Sequence, residues 1–454
     1  MPMSVSATRR KAPGPPGRPL IGNLLEFRRD VLGALMESRQ RYGDVVRFRL
    51  GPKIVHLVAG PEQIEYVLLT RHENYNKNTR SSSKIRSVTG QGLLTSNGDF
   101  WLRQRRLTQP IFARERLEGF LEIMTSTTGE MLDRWGALSR QGKPVDVASE
   151  MMRLTCTIIG KALFGTDVSS DLETIAESAT VLMSHAWRRL ERIVDPGVRL
   201  PTPANRRFHR ALRRLNQVVY RIINERRTAE RGDDLLSMLL ARSDEHTGQR
   251  MSDAEVRNET ITLLLAGHET TANALTWAWY LLSQHPEVAL RAREETTAVL
   301  GGRPRAIEDL SRLEYTNRLL RESLRLYPPI WIMERQAIAD DTIGGFHIPA
   351  GSSVVISPYV THRHPGFWYD PERFDADRFL PEPSAGRAAH AYIPFGGGQR
   401  LCIGSSFATA EALVILAMVL QRYRLELVPG HPVSAKPGIT LRTMHGLLMS
   451  LKSL

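Results

Sequence analysis

The stretch Phe395-Gly-Gly-Gly-Gln-Arg400-Leu-Cys402-Ile-Gly404 runs directly into an apolar segment, Ser405 to Leu420, and this junction constrains the chain more than any other feature. The apolar segment reads as a helix. A cysteine just before a helix start lies where backbone N–H groups and the positive dipole end stabilise a thiolate. Cys402 is therefore a candidate ligand for a soft metal. Gly396, Gly397, Gly398 and Gly404 supply the backbone freedom a tight loop needs to lie against a flat cofactor. Arg400 adds a planar fork of donors suited to a carboxylate. No second Cys or His lies at zinc-ligand spacing, so a single thiolate on iron is the metal reading with a mechanism. The alternative is an ordinary buried thiol.

With 454 residues and no Ser/Gly-rich linker, the chain allows one large domain or two ordinary ones. Its two cysteines, Cys156 and Cys402, cannot build a disulfide framework, which suits a reducing, cytoplasmic setting. No run of about twenty apolar residues appears, and Arg9, Arg10 and Lys11 precede a proline-rich stretch, so no transmembrane anchor is expected. The formal charge is +13, from scattered Lys and Arg without an aromatic-interleaved basic cluster. Such a charge could mean nucleic acid, an anionic membrane surface or an acidic protein partner; without such a cluster the reading is a solvated surface or an acidic redox partner.

Residues 45 to 60 read as a hairpin around Gly51-Pro52, and 61 to 70 as helical. From Asn74 to Leu94 the pattern predicts a long irregular segment. A helix follows from Asp99, with Trp101 and Arg105 on one face. Residues 115 to 165 and 171 to 228 show helical periodicity, broken at Asp195-Pro-Gly-Val-Arg-Leu-Pro201-Thr-Pro203. Cys156 lies on an apolar helical face and reads as core. Ser252-Asp-Ala-Glu255 is a capping box opening a helix of about thirty residues, roughly 45 Å long. Its middle, Leu263-Leu-Leu-Ala266-Gly267-His268-Glu269-Thr270-Thr271, sets a glycine, an acid and two hydroxyls into an apolar stripe. Mid-helix Gly and a buried carboxylate both cost stability, which favours a functional reading. Glu322 and Arg325 stand one turn apart before Pro328-Pro329, and strands are expected over 342 to 349 and 352 to 357.

Taken together, these strings resemble the cytochrome P-450 superfamily. Phe395, Gly398, Arg400, Cys402 and Gly404 match its haem-binding loop. Ala266, Gly267, Glu269 and Thr270 match its Ala-Gly-x-Asp/Glu-Thr signature on the helix across the haem. Trp101 and Arg105 match its Trp-x-x-x-Arg pair. Glu322 and Arg325 match Glu-x-x-Arg, whose third member falls on Arg378 when Asp370 to Phe379 is aligned, with Ala376 replacing a proline. The literal Pro371-Glu-Arg373-Phe374 makes Arg373 the alternative. The resemblance implies a mainly α fold with a smaller β-rich part and a long central helix. It implies one P-450 domain over 1–454: a proline-rich segment 1–30, a mainly β-rich part 31–72 and 335–365, and a helical haem-binding remainder.

The same resemblance implies a haem-thiolate monooxygenase inserting one oxygen atom from O2 into a hydrophobic small molecule such as a fatty acid, terpenoid or steroid. Its cofactor would be haem b (iron-protoporphyrin IX), with Cys402 as axial ligand. Trp101, Arg105, Arg335, Phe395, Arg400, Gly404 and Ala266 would contact the haem. Thr270 would act at the distal oxygen, Glu269 would relay protons, and Gly267 would let an opened helix turn admit water and oxygen. Trp331, Ile332 and Ile439 are pocket candidates, Trp331 narrowing the cavity beside the iron. No flavin or nicotinamide fingerprint follows, so electrons are expected from a ferredoxin- or flavodoxin-type partner with its NAD(P)H reductase, steered by Arg103, Arg106 and Arg400. A peroxide-driven peroxygenase and a non-catalytic haem gas sensor are the rival readings. The motifs resemble the fatty-acid-hydroxylase-like branch more than the camphor-type branch.

Overall fold

The computed structural model describes residues 10–165, 169–192, 195, 197–228, 232 and 234–454. Arg9 of the basic N-terminal cluster and Pro196 of the interhelical break lie outside the described residues. The chain divides into two compact units, 1–81 with 330–372 and 386–402, and 82–329 with 373–385 and 403–454.

The first unit is built on a five-stranded sheet. β1 (Val45–Leu50) and β2 (Lys53–Val58) form the hairpin expected from their β-branched content, closed at Gly51 with φ +62°. β3 is Tyr75–Asn76, β4 Met333–Ala337 and β5 Ser353–Ile356. The order is β1-β2-β5-β4-β3, with β2 and β5 parallel and every other pair antiparallel. Val45, Val58, Ile64, Val354, Ile356 and Ile393 form its core. The expected single strand over 342–349 is instead two short antiparallel strands, Asp341–Ile343 and Phe346–Ile348. Gly344 and Gly345, at φ +56° and +81°, turn the chain between them.

The second unit is mainly helical. Its helices include α1 (Arg80–Thr89, shared with the end of the first unit), α2 (Gly98–Thr108), α3 (Val147–Phe164), α4 (Ser169–Glu191), α5 (Pro203–Thr228), α6 (Asp253–Gln284), α7 (Glu314–Leu326) and α8 (Ser405–Leu420). α1 corrects the expected irregular segment 74–94. Its serines and the β-branched Ile85, Val88 and Thr89 give it weak helix propensity, and tertiary bonds hold it: Lys84 pairs with Asp195, and Arg257 Nη2 donates to the Val88 carbonyl at 3.1 Å. α6 starts on the capping box, with Ser252 N–H donating to Glu255 Oε2 at 2.8 Å. α8 buries nearly every residue from Phe407 to Leu420, Glu411 among them, as a helix apolar on most of its faces must.

Candidate functional site

In the first unit the loop 395–402 closes on itself through Cys402 N–H donating to the Phe395 carbonyl at 3.0 Å. Gly398 is required there. Its φ is +64°, and a Cβ would stand 2.1 Å from the Leu68 carbonyl oxygen. Cys402 ends the loop exposed, whereas Cys156 is buried and its thiol is pushed up to about 11 by loss of hydration. Among the described residues no cluster of three His, Cys, Asp or Glu side chains could hold a metal. Cys402 therefore stands outside any such cluster among the described residues.

Beside this loop the same unit gathers positive charge. Arg335 on β4 is buried, donates to the Glu334 carbonyl at 3.1 Å, and is brought down to about 10 by burial. Lys77, just past β3, is held well below the ordinary lysine range by lost hydration and then by the Arg335 and Arg400 charges. The Glu334 charge opposes that lowering, but its oxygens also accept from Ser81 Oγ at 2.6 Å and Ser353 Oγ at 2.9 Å. Three mutually repelling cations in one place are stabilised by a multiply charged anion. Lys77 was not among the sequence candidates, because a lone lysine in a polar stretch carries no pattern.

In the second unit α6 is buried along most of its length, yet Ala266 is exposed and Gly267, Glu269 and Thr270 are half-buried. Thr270 Oγ1 donates to the Ala266 carbonyl at 2.6 Å. Glu269 Oε1 accepts from Thr440 Oγ1 at 2.5 Å, and Asn273 Nδ2 donates to that same hydroxyl at 3.1 Å. Thr440 lies between β6 (Ala435–Pro437) and β7 (Leu441–Thr443), so this turn brings half-buried Ile439 to the Ala266–Thr270 stretch. The expected opened helix turn is absent, since α6 runs continuously. Gly267 serves close packing instead: a Cβ there would meet Ile159 Cγ1 of α3 at 2.9 Å.

Glu259, two turns before Ala266, is fully buried and accepts from Leu93 N–H at 3.1 Å through one oxygen. Burial, opposed by that bond and reinforced by Glu255, raises its carboxyl to about 7. Sequence reasoning missed it because nothing local marks a carboxylate as enclosed.

The Glu322 carboxylate receives Arg325 Nε at 2.7 Å and Arg325 Nη2 at 2.8 Å, with Arg378 Nε 3.3 Å away. Arg373 offers only its carbonyl, to Arg325 Nη2 at 3.1 Å. Burial raises the Glu322 carboxyl against the pull of Arg325. Trp101 is buried on α2, while Arg105 donates from Nε to Gln109 at 2.8 Å. Gly404 is the residue capping the start of α8. Trp331 is enclosed at 2% exposure, and Ile332 is half-buried. Arg103 and Arg106 are paired with Glu255 at 2.6 Å and Asp244 at 2.8 Å, so neither presents the unopposed charge expected for partner steering. No described helix is long and apolar enough to cross a membrane.

The family model described as Cytochrome P450 matches residues 12–448. Cyclooctatin synthase of Streptomyces melanosporofaciens is 39% identical over 438 residues, covering 95% of this chain and 94% of the relative. Pentalenene oxygenase of Streptomyces avermitilis is 36% identical, covering 90% of each. A retinoic-acid-bound cyanobacterial enzyme of the same family superposes with a TM-score of 0.87 at 28% identity, covering 98% of this chain and 100% of that one. With the lone thiol loop and the Glu269–Thr270 turn carried on a matching fold, the chain belongs to the cytochrome P450 family and is a P450 monooxygenase, of a kind that implies a haem cofactor.

Proposed function

We propose that this enzyme inserts one oxygen atom from O2 into a hydrophobic terpenoid, using electrons from a separate ferredoxin- or flavodoxin-type partner and its NAD(P)H reductase. The observation that carries the reading is the exposed single thiol of Cys402 at the end of a glycine loop in a P450 chain. Haem b, when bound, supplies the activation of dioxygen. Cys402 would be its axial ligand. The cationic group Lys77, Arg335 and Arg400 fits two propionates, and Trp101, Arg105, Phe395, Gly404 and Ala266 are read as further haem contacts.

The Thr270 hydroxyl, now on the Ala266 carbonyl, can turn to hold a proton beside the exposed Ala266 methyl. Glu269 is half-buried, so its carboxylate reaches both solvent and the Thr440 hydroxyl and can exchange protons with either. Ile332 and Ile439 are each half-buried and are read as apolar surface for the substrate, with Trp331 read as a residue that narrows its cavity. Glu322, Arg325 and Arg378 are structural. Relatives named for cyclooctatin and pentalenene support a terpenoid over a fatty acid. Residues 1–454 are read as one catalytic domain in a cytoplasmic setting.

The test is the carbon-monoxide difference spectrum of the reduced holoenzyme, followed by turnover of a terpene panel with NADPH and surrogate ferredoxin and reductase. Wild type is expected to give the thiolate band and oxygenated product, and Cys402→Ser neither. Turnover with peroxide alone would favour the peroxygenase, and no turnover under either regime the gas sensor.

A further inference from the structure

The α5 helix carries a charge pattern that the monooxygenase site does not use. Its apolar residues Phe208, Leu215, Val219 and Ile222 are buried. Its opposite face presents Arg206, Arg207, Arg210, Arg213 and Arg214, all exposed. At 100° per residue these five fall within about 120° of arc and about 12 Å of axis. From Pro203 to Asn224 there is no Asp or Glu, and no described carboxylate pairs with any of the five. Farther along, Arg221, Arg226 and Arg227 are each matched with an acid, so the unopposed charge is confined to one end of the helix.

A second feature adjoins it. Asn205 Nδ2 donates to the carbonyls of Gly197 at 3.0 Å and Leu200 at 2.7 Å, and His209 Nε2 lies 2.9 Å from the Val198 carbonyl. The preceding loop is thereby strapped along the edge of the arginine face, with Leu200 half exposed at its tip.

We propose that this face docks on an anionic phospholipid surface. Five guanidiniums on one convex face suit a field of phosphates, which they can engage bidentately. Between them in sequence, Phe208 is buried and offers no face to stack nucleic-acid bases, and His209 is held to the loop at the Val198 carbonyl. Leu200 at the rim can enter the headgroup boundary, as apolar residues of interfacial helices do. Each basic residue near an anionic leaflet contributes about a fivefold gain in partitioning, so five amount to on the order of a thousandfold. A hydrophobic substrate concentrates in the same bilayer; this last point rests on the terpenoid reading, whereas the docking itself does not.

The experiment is co-sedimentation of the holoenzyme with pure phosphatidylcholine vesicles and with vesicles half of phosphatidylglycerol. Wild type is expected on the second and not the first, with release at about 1 M salt, where screening is nearly complete. Replacing all five arginines by glutamine should weaken binding at least about a hundredfold. A charge-matched control, Arg18, Arg153, Arg303, Arg312 and Arg422 each to glutamine, should weaken it only a few-fold. No recruitment of wild type, or equal loss in both variants, overturns the proposal. So does retention on heparin or an acidic ferredoxin that needs the five arginines while vesicles bind neither form. The thiolate band and turnover of dispersed substrate should be unchanged in both variants; if wild type lacks them, the monooxygenase reading fails and the docking result still stands.

Discussion

Thr440 is the residue whose position changes the view of proton handling most, because its hydroxyl stands between Asn273 and Glu269. Thr440→Val should release the Glu269 carboxylate and lower product formed per NADPH consumed by about tenfold, with Thr440→Ser near wild type. Measuring coupling alongside total NADPH oxidation checks this; unchanged coupling in the valine variant would remove Thr440 from the relay. Glu259 makes a different prediction. Its folded value of about 7 lies above that of an unfolded glutamate, so the native state binds the proton more tightly between the two. Stability from this group is complete below the unfolded value and is lost as pH rises through about 7. Wild type should therefore lose on the order of 2 kcal/mol relative to Glu259→Gln between about pH 5 and pH 8, read from urea midpoints. A pH-independent difference would contradict it.

At the scale of an element, α6 shows how packing overrides propensity. Alanine is normally about 1 kcal/mol better than glycine inside a helix. At Gly267 a Cβ would stand 2.9 Å from Ile159 Cγ1 and 3.0 Å from its Cδ1, and overpacking of that kind costs about 1–3 kcal/mol. Gly267→Ala should be destabilising in wild type and much less so in an Ile159→Ala background. Thermal melts of the four proteins in that cycle test it, and strict additivity would show that α3 is not the obstacle. α1 carries the complementary lesson, since a helix of poor local propensity is held by the Lys84–Asp195 pair and by Arg257.

For the molecule as a whole, the buried Glu322–Arg325–Arg378 group is the polar device on which integrity depends. Arg325→Ala leaves a buried carboxylate short of its best partner and should cost about 3–5 kcal/mol, with loss of haem retained on purification. Arg378→Ala should cost less, since its nitrogen is 3.3 Å from Glu322 and two other donors remain on the carboxylate from Arg325. Arg373→Ala should change stability by no more than about 0.5 kcal/mol, because the backbone carbonyl it offers is retained. If Arg373→Ala proved the more damaging of the last two, the assignment of the third member would be reversed.

Motifs whose meaning lies in spacing were legible in the one-dimensional chain: Phe395 to Gly404, Ala266 to Thr270, Glu322 with Arg325, and the capping box at Ser252. Short-range geometry dictates these, through helix pitch, glycine backbone freedom and cap bonding. Tertiary structure alone decided which arginine reaches Glu322, that Gly267 makes room for Ile159, that Arg103 and Arg106 are already paired with acids, that Lys77 is enclosed near Arg335 and Arg400, that Thr440 bonds Glu269, and that Glu259 is buried on the Leu93 amide. Each of those depends on a partner dozens to hundreds of residues away, and on desolvation that exists only once the partner has arrived.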